Sequence, residues 1–481
     1  MPIFLHNTLS RRKEGFQPRD LGRVSMYVCG QTPQGPAHLG HARKAVAFDV
    51  IRRHFEFRGF AVTLVENITD VEDKIIARAK AEGVSWQEIA DRYATSYLAE
   101  MAELNVLPAA GYPRASEHIA DMIGLIERLI AAGHAYPAEG DVYYRVRRFE
   151  SYGKLSGRRP DDMRAGARVE VSEQKEDPLD FALWKAAKPG EPSWDSPWGP
   201  GRPGWHIECS VMCERYLGLG FDIHGGGADL IFPHHENEIA QSEALAEGQP
   251  FARYWLHNGW VTFNAEKMSK SIGNVVNVRE AIDRVGAQTV RYYLLAPHYR
   301  SDLEYSDEGL AEAGRSLERL RIGVGHLNRL LELEPAAGAG ALDLDPGAAR
   351  EEFLAAMDDE FNTPPAVAAL HQLVGDVHRA TGASDYRPAA ADRETLPAAR
   401  EVLVELGGRL GLDLQPPGVR PKDGGLTEQL LALLVDLRQM ARERRQFEIA
   451  DAVRSRLADL GIILEDHPEG TTWRRREGGS K

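Results

Sequence analysis

The chain has 481 residues, of which 58 are Lys or Arg and 72 are Asp or Glu, giving a formal net charge of −14. This length exceeds what a single hydrophobic core usually organises, so several domains are expected. No apolar run approaches a membrane span, the first residues lack the apolar core of a secretion signal, and three cysteines cannot form a disulfide framework, so we expect a cytoplasmic protein with no membrane association.

A strand, a loop and a helix form the first predicted unit. Residues 24–28 have the composition of a strand, and a Gly/Pro-rich loop leads from them to His38-Leu39-Gly40-His41. Apolar residues then recur at helical spacing up to Gly59, and a second strand is predicted over 61–65. This arrangement is typical of a doubly wound parallel sheet, which binds ligands at the carboxyl ends of its strands.

His38 and His41 lie where the predicted helix begins. Free backbone N–H groups at a helix N-terminus attract phosphate, and imidazoles there can donate to phosphate oxygens as negative charge develops. Two ordinary loop histidines would give the same letters. A second pattern, Lys267-Met268-Ser269-Lys270-Ser271, places two lysines three apart, where they can act as mobile charges over a triphosphate. Together the two patterns indicate a nucleotide site.

In the middle of the chain the sequence pattern changes from helical spacing to short strands and Gly/Pro-rich stretches. Three helices are predicted over 71–83, 86–101 and 116–133. Short alternating strands follow, and residues 188–204 contain too much Pro and Gly for regular structure, so this stretch is interpreted as an insertion between two halves of the sheet. Three elements are predicted next: a strand over 221–224, a close-approach turn at 225–227 and a strand over 255–263.

A set of metal-binding side chains is spread over the first half. His234 and Glu238 are four apart, so a helix from Pro233 onward places both on one face. Cys29 and Cys209 add two thiolates, and all four side chains are acceptable zinc ligands. Buried cysteines and a common His/Glu pair would look the same. Cys213 is interpreted as a core thiol.

The last third is predicted to be helical and to carry a basic surface. From Ala281 onward the pattern is almost wholly helical. The arginines on it are Arg438, Arg442, Arg444, Arg445, Arg454 and Arg456, and Trp473-Arg474-Arg475-Arg476 follows near the end of the sequence. Arginines beside an aromatic residue suit stacking on unpaired RNA bases. A solvated charged face is the alternative.

Both signature patterns resemble those of class I aminoacyl-tRNA synthetases, which activate an amino acid with ATP and esterify it to tRNA. Over nearly its whole length, the chain is similar to the cysteinyl-tRNA synthetase family. The other segments that carry this resemblance are 27–30, 67–71, 113–118, 204–210 and 221–227. The C-terminal segments 446–454, 461–466 and 470–474 are similar to the anticodon-binding end of that family.

The resemblance implies a fold class and a division into domains. The expected fold is α/β, with a class I Rossmann-type catalytic domain, an inserted connective subdomain and an all-helical C-terminal tRNA-binding region. The expected parts are the first half of the catalytic domain (1–115), the connective insertion (116–204), the second half (205–250), a lysine-loop and stem-contact region (251–310), a helical bundle (311–412) and an anticodon-binding region (413–481).

The resemblance also implies site residues. Four would act in catalysis: His38, His41, Lys267 and Lys270. ATP would be bound by these four together with Gly40, Met268, Ser269 and Ser271. Zinc would be held by Cys29, Cys209, His234 and Glu238. Cysteine would be bound by Cys29, Thr69, Trp205, His224 and Asp229, although Trp205 and His224 could simply pack on the sheet. Contacts to tRNA are expected from Arg442, Arg445, Trp473, Arg474 and Arg475.

The implied partners are L-cysteine, Mg-ATP and tRNA(Cys), with one zinc per monomeric chain. A hydrophobic pocket alone separates substrates that differ by one small group only about 10- to 200-fold, whereas a soft zinc that takes the substrate thiolate would reject serine and alanine far better.

One loop departs from the family, because Gln31-Thr32-Pro33-Gln34-Gly35-Pro36 stands where a Pro-Thr-Val-Tyr-Asp type sequence is common.

Two other functions fit part of this pattern. A cysteine ligase of the mycothiol type makes the same adenylate and gives the cysteine to an amino sugar, but the arginine-rich C-terminal region argues against it. A non-catalytic RNA-binding paralogue is the alternative from another class, and both signatures and all four candidate ligands argue against that.

Overall fold

The computed structural model describes residues 2–163, 174–263, 266–267, 275–334, 342–382, 386–415, 426–444, 446–467 and 470–475. The chain packs as two compact units. The first contains Met1–Val278, Pro297–Tyr305 and Met357–Thr363, and the second contains Arg279–Ala296, Ser306–Ala356 and Pro364–Lys481. The finer six-part division remains a prediction. Within the described stretches, no helix combines the length and apolarity that crossing a bilayer requires.

The first unit contains most of the strands. They are β1 (Phe4–Asn7), β2 (Arg12–Gly15), β3 (Arg23–Gln31), β4 (Ala61–Ile68), β5 (Ala135–Ala138), β6 (Asp141–Tyr144), β7 (Phe181–Ala186), β8 (Gly201–Pro203), β9 (Phe221–Gly227), β10 (Ala252–Asn258), β11 (Val261–Phe263), β12 (Glu266–Lys267) and β13 (Leu303–Glu304). Its helices are α1 (Leu39–Phe57), α2 (Asp73–Glu82), α3 (Trp86–Glu103), α4 (Ile119–Ala131), α5 (Pro160–Met163), α6 (Trp205–Leu217) and α7 (Glu236–Glu243).

A four-stranded parallel sheet in the order β10-β9-β3-β4 forms the centre of this unit. Strand β3 is buried along most of its length, as parallel sheets covered on both faces require. The predicted strand–helix–strand unit is confirmed as β3, α1 and β4. The carboxyl ends of β3, β4 and β9 therefore lie side by side, which is where ligands bind in this architecture.

Helix α1 begins directly after the Gly/Pro-rich loop. Nδ1 of its N-cap residue, His38, accepts a hydrogen bond from the Gly40 N–H at 3.1 Å, and Nδ1 of His41 accepts from the His38 N–H at 3.2 Å. This is a capping box made of two histidines. Beyond the other end of α1, Gly59 has φ = +88°, as expected for a glycine that terminates a helix.

The predicted insertion is an antiparallel four-stranded sheet in the order β5-β6-β7-β8. It is followed by α6 and β9, so it interrupts the parallel sheet as expected. One prediction was wrong here, because the Gly/Pro-rich stretch contains the short strand β8. Gly201 and Gly204 permit this strand, since a Cβ at Gly201 would lie 2.2 Å from Nε1 of Trp184 and one at Gly204 would lie 2.0 Å from the Ala182 carbonyl oxygen.

Two more local predictions need correction. Gly225–Gly227 is the end of strand β9 and not a turn, although the close approach was correct, because a Cβ on Gly225 would lie 2.2 Å from the Phe48 ring. The single strand predicted over 255–263 is two strands, β10 and β11. The two strands are separated at Gly259, where an added Cβ would lie 2.3 Å from the Ser301 carbonyl oxygen.

The second unit is mainly helical. Its helices are α8 (Val278–Val285), whose first residue belongs to the first unit, α9 (Ala287–Leu295), α10 (Asp307–Glu332), α11 (Pro346–Asp358), which ends in the first unit, α12 (Thr363–Thr381), α13 (Asp392–Arg409), α14 (Leu426–Glu443) and α15 (Phe447–Asp459). The C-terminal region is helical as predicted, with one correction: strands β14 (Ile462–His467) and β15 (Gly470–Arg475) form an antiparallel pair. Leu464 and the partly buried Trp473 pair across it and pack with Leu431 and Leu457.

Candidate metal centre and adjoining cleft

Donor atoms from three distant parts of the chain meet beside the carboxyl end of β3. Sγ of Cys29 lies 3.7 Å from Sγ of Cys209 and 3.5 Å from Oε1 of Glu238. Nε2 of His234 lies 3.0 Å from the same Glu238 oxygen. Cys29 lies near the end of β3, Cys209 lies on α6, and the turn before α7 carries His234. We call these four residues the metal cluster; they are all buried.

The donor set of the metal cluster fits a zinc ion. Four ligands at 2.0–2.3 Å in a tetrahedron lie roughly 3.3–3.8 Å from one another. The Cys29–Cys209 and Cys29–Glu238 separations fall in this range. A second set shares Cys29 and Glu238 and adds His224 and His235, and in each set the donor atoms lie within 4.8 Å of one another.

The pKa values of the four residues in the metal cluster are shifted in different directions. Burial raises the pKa of Cys29, whereas the hydrogen bond from Cys29 lowers the pKa of Cys209 to about 6 against the opposing effect of burial. Burial opposes ionisation of Glu238, but the neighbouring His224 and His234 hold the pKa of that carboxyl well below its usual range. Burial by itself would lower the pKa of His234. The neighbouring Glu238 and Cys209 outweigh burial and raise that pKa to about 10.

A layer of histidines orients the metal cluster. Nδ1 of His206 lies 2.9 Å from Nδ1 of His234, and Nε2 of His224 lies 2.7 Å from Oε2 of Glu238. His235 contacts Sγ of Cys29 at 3.3 Å, and its other nitrogen lies 2.8 Å from His257. Such second partners fix the tautomer and orientation of metal-binding side chains.

Sequence reasoning missed several of these supporting residues. His206 lies in the segment 204–210 that carried the resemblance, and His235 adjoins His234, so both could have been found. Lys44 and His257 gave no such signal. Lys44 is buried, and its Nζ donates to the Cys29 carbonyl oxygen at 2.8 Å and to Oε1 of Glu66 at 2.8 Å.

Cys213 is buried and lies outside both donor sets. Its Sγ is 3.9 Å from Nε2 of His224, and burial raises the pKa of the Cys213 thiol. Burial agrees with its interpretation as a core thiol.

One cleft extends from Cys29 of the metal cluster to the start of α1. It has a volume of about 590 Å³. Its lining includes Cys29, Gln31, His38, Gly40, His41, Lys74, Trp205, Asp229 and Trp260. Trp205 is 40% exposed, and its ring stacks on His234 with 4.4 Å between centroids. Predicted cysteine-binding and nucleotide-binding residues therefore share a single space.

Two residues predicted to bind cysteine, Thr69 and His224, are buried beneath the residues that line the cleft. Thr69 is buried, and its Oγ1 accepts a hydrogen bond from Asn67 at 3.1 Å. His224 is fully buried against Glu238. Neither residue is among those that line the cleft in the described part of the chain.

The two histidines of the first signature are held rigidly. Their rings stack with 3.7 Å between centroids. Because Nδ1 of each ring accepts a backbone N–H, the proton of each neutral imidazole is on Nε2. Each Nε2 is consequently a hydrogen-bond donor, which is the role that binding a phosphate oxygen requires.

The second signature lies mostly outside the described residues. Lys267 is in strand β12, where its backbone pairs with Thr262, while Met268, Ser269, Lys270 and Ser271 fall outside the described stretches. The chain returns beside the first signature, since the Leu39 N–H donates to the Val276 carbonyl at 3.1 Å and the Val278 N–H donates to Ala37 at 2.9 Å.

The predicted tRNA-binding residues are spread over α14 and the C-terminal strand pair. Arg442 is 44% exposed in its side chain and lies 3.1 Å from Oδ2 of Asp466. Arg474 pairs with Glu465 at 2.8 Å across the two strands, and Trp473 packs in their small core. Arg475 belongs to β15, of which only the backbone is described at that position, and Arg445 lies outside the described residues.

Two family models match the sequence. The model for the class I (C) tRNA synthetase catalytic domain covers residues 15–315, and the DALR domain model covers 352–415. The cysteine–tRNA ligase of Pelotomaculum thermopropionicum is 50% identical over 482 residues, covering 98% of this chain and 99% of that protein. The protein of the same name from Thioalkalivibrio sulfidiphilus is 51% identical, with coverage of 98% and 99%.

This chain belongs to the cysteine–tRNA ligase family. The coverage extends over both units, so the family assignment includes the C-terminal region as well as the catalytic half.

Solved structures show that this cysteine–tRNA ligase family member has the class I synthetase fold. Mycobacterium tuberculosis methionyl-tRNA synthetase in complex with methionyl-adenylate has a TM-score of 0.58 at 18% identity, covering 81% of this chain and 90% of that one. Thermus thermophilus arginyl-tRNA synthetase has a TM-score of 0.51 at 14% identity, with coverage of 85% and 84%. The predicted α/β fold class is confirmed.

Proposed function

We propose that this chain activates L-cysteine with ATP and transfers the cysteinyl group to the 3′ end of tRNA(Cys). The observation that carries the proposal is the metal cluster, in which two thiols, an imidazole and a carboxylate converge at one end of the cleft whose other end is lined by His38 and His41. Identity of 50% with a cysteine–tRNA ligase over almost the whole chain supports the same activity.

Zinc is the metal that the cluster fits best. Cys29, Cys209, His234 and Glu238 would hold it, since thiolate and imidazole ligands suit zinc and exclude magnesium or calcium. When bound, zinc supplies a soft Lewis acid that prefers a substrate thiolate to a hydroxyl or a methyl group. Trp205, stacked on His234, would cover the substrate side chain, and Asp229 would face its polar end.

Adenylate formation needs no protein nucleophile. The cysteine carboxylate attacks the α-phosphorus of ATP, the bond to the β,γ-phosphates breaks, and pyrophosphate leaves. His38 and His41 each present an Nε2–H donor to phosphate oxygens, which stabilises charge as it develops. In the second step, the terminal ribose hydroxyl of tRNA attacks the acyl carbonyl and AMP leaves.

Lys267 and Lys270 would neutralise the charge that passes to pyrophosphate. The support is that the described residues on both sides of 268–274 lie near the cleft. Thr262 pairs with Lys267 beside the cleft residue Val261, and Val276 pairs with Leu39 of the first signature. Magnesium would enter with ATP. Gly40 leaves room at the helix start, because a Cβ there would lie 2.9 Å from Cε1 of His38.

The remaining partners follow from the C-terminal region. Arg442, Arg445, Trp473, Arg474 and Arg475 would contact tRNA, and we propose that the active form is a monomer in the cytoplasm. The models for the class I catalytic domain and the DALR domain both match this chain, which supports a tRNA-charging role.

The test combines metal analysis with two activity assays on the purified full-length protein. We expect about one zinc per chain, cysteine-dependent exchange of pyrophosphate into ATP, and aminoacylation of tRNA(Cys). Lys270→Ala should reduce the exchange rate much more than cysteine binding. Exchange that depends on cysteine without any transfer to tRNA, but with transfer to an amino sugar, would replace this function with that of a mycothiol-type ligase.

A further inference from the structure

The side-chain amide of Gln31 is buried and has no partner among the described residues. Gln31 is 4% exposed, and neither its Oε1 nor its Nε2 has a hydrogen-bond partner in that part of the chain. A buried polar atom without a partner destabilises the folded state, and few such atoms occur in native proteins. Here both ends of one amide are unpaired, which indicates a ligand that is absent from the protein alone.

The backbone holds Gln31 in a fixed position. It is the last residue of β3, and its carbonyl oxygen accepts a hydrogen bond from the Thr69 N–H at 3.1 Å. The preceding Gly30 lets the neighbouring chain approach so closely that a Cβ there would lie 1.5 Å from the Asn67 carbonyl oxygen. The amide is therefore placed by two adjoining strand ends rather than by a loose loop.

Gln31 lines the cleft that also contains Cys29, two residues earlier in the chain. The same cleft is lined by Trp205 and Asp229 near the metal cluster. If the thiol of the substrate is directed to the metal cluster, the α-ammonium and carboxyl groups of this short amino acid must lie within a few bonds of it. These are polar groups that need hydrogen-bond partners when they leave water.

An amide is complementary to both ends of an α-amino acid. Its Oε1 accepts from an ammonium group, and its Nε2–H₂ donates to a carboxylate or acyl oxygen. Because it carries no charge, it can pair with both without repelling either.

We propose that Gln31 is a substrate-binding residue that hydrogen-bonds the α-ammonium and carboxyl groups of cysteine and of its adenylate. This inference rests on the proposed function. It adds a contact to the amino-acid end of the pocket, and it accounts for both atoms of the amide that lack a partner among the described residues.

The test is Gln31→Leu in the full-length, zinc-loaded protein, measured by cysteine-dependent ATP–pyrophosphate exchange. Loss of hydrogen bonds to charged groups should raise the KM for cysteine about tenfold or more, and the KM for ATP should stay within about twofold. Zinc content should not change. The midpoint of thermal unfolding without substrates should stay equal or rise, because two unpaired buried atoms are removed.

Two further variants make the result specific. Gln87→Leu changes an exposed glutamine on α3 that is not among the cleft-lining residues, and it should leave both KM values near wild type. Gln31→Glu keeps the shape and the acceptor but removes the N–H donor and adds a charge that repels the carboxylate, so it should also raise the KM for cysteine.

Three outcomes would overturn the proposal. They are an unchanged KM for cysteine in Gln31→Leu, an equal rise for cysteine and ATP, and a loss of zinc or of thermal stability that accompanies the change in KM. A wild-type protein without cysteine-dependent exchange would instead refute the proposed function, so the two failures are distinguishable.

Discussion

Two clusters of charged and polar side chains among the described residues differ in composition: the metal cluster in the first unit and a group of arginines in the second. In the metal cluster, Cys29, Cys209, His234 and Glu238 bring sulfur, nitrogen and oxygen atoms together in a buried space. In the second unit, Arg438, Arg442 and Arg454 surround Asp466; we call these four residues the arginine cluster.

The two clusters differ in whether the chain itself supplies the partners of their charged and polar atoms. Most atoms that meet in the metal cluster are electron-pair donors, so a metal cation completes them. In the arginine cluster the cations meet a carboxylate that the chain itself supplies, and Arg438, with 3% of its side chain exposed, donates to both Asp466 oxygens at 2.7 and 2.8 Å. The carboxylate of the arginine cluster is therefore paired within the chain, whereas the sulfur, nitrogen and oxygen donors of the metal cluster suit a bound cation.

The largest effect is expected from removing one donor of the metal cluster. Cys209→Ala should abolish stoichiometric zinc binding and lower kcat/KM for cysteine by at least about 100-fold, more than the loss of a second-layer partner costs. Zinc analysis and ATP–pyrophosphate exchange measure both. The matched control is Cys213→Ala, a buried thiol outside both donor sets, which should keep its zinc. If both variants lose zinc equally, the cluster is not the binding site.

The next effect tests the opposite end of the cleft. His41→Ala removes an Nε2–H donor and half of the histidine capping box, so kcat for exchange should fall about 100-fold. The KM for cysteine and the zinc content should stay near wild type, because the metal cluster is untouched. His41→Asn, which keeps a short polar side chain, should lose less. Full activity of His41→Ala would remove this residue from phosphate binding.

A smaller effect is expected in the arginine cluster. Asp466→Asn should reduce the local stability of α14, α15 and the C-terminal strands by about 2 kcal/mol, the usual contribution of hydrogen bonds to a charged group. Hydrogen exchange of the backbone amides in this region measures the change. The control is Asp436→Asn on the exposed side of α14, which should change nothing.

The stabilisation by Asp466 should depend on pH. Hydrogen bonds from Arg438 hold the pKa of Asp466 well below its usual range. A carboxyl whose pKa is lower in the folded state stabilises that state above its unfolded pKa, about 3.9. The difference between wild type and Asp466→Asn should be constant from about pH 5 to 8 and shrink as the pH falls below about 4. A difference that grows with acid would contradict this assignment.

The smallest effect concerns the exposed edge of the arginine cluster. Arg442, whose side chain is 44% exposed, can reach a phosphate while Arg438 holds Asp466. Arg442→Ala should raise the KM for tRNA(Cys) about fivefold and lower the slope of its salt dependence by about 1, with exchange unchanged. Arg379→Ala on α12, whose side chain is 73% exposed, is the control. Equal effects of both variants would indicate that only net charge matters.

Some parts of the fold could be predicted from the sequence, and others could not. The unit from β3 to β4 was predicted with its helix end at Gly59, because local spacing and turn residues determine it. The last strands were missed, since helical periodicity before them gave no sign that Ile462–His467 would pair with Gly470–Arg475. Gly225–Gly227 was misread as a turn because only the packed Phe48 ring explains those glycines within a strand.

The candidate site was also only partly predictable. Sequence placed Arg438 on a basic surface, but the structure buries it against Asp466, because the pairing depends on a strand that comes 28 residues later in the chain. His257 and Lys44 gave no signal, since their partners, His235 and the Cys29 carbonyl, are reached through the fold and not through neighbouring positions.

By itself the sequence determined the chemistry of this protein: which side chains can bind phosphate, which can bind a soft metal, and which family they resemble. Those properties belong to residue types and short spacings. Only the tertiary structure decided which of these side chains meet and that Cys29 and Cys209 face one another 3.7 Å apart. It also decided that the amide of Gln31 is buried with no partner in the described stretches. Distances between residues far apart in the chain depend on packing, and no local pattern encodes them.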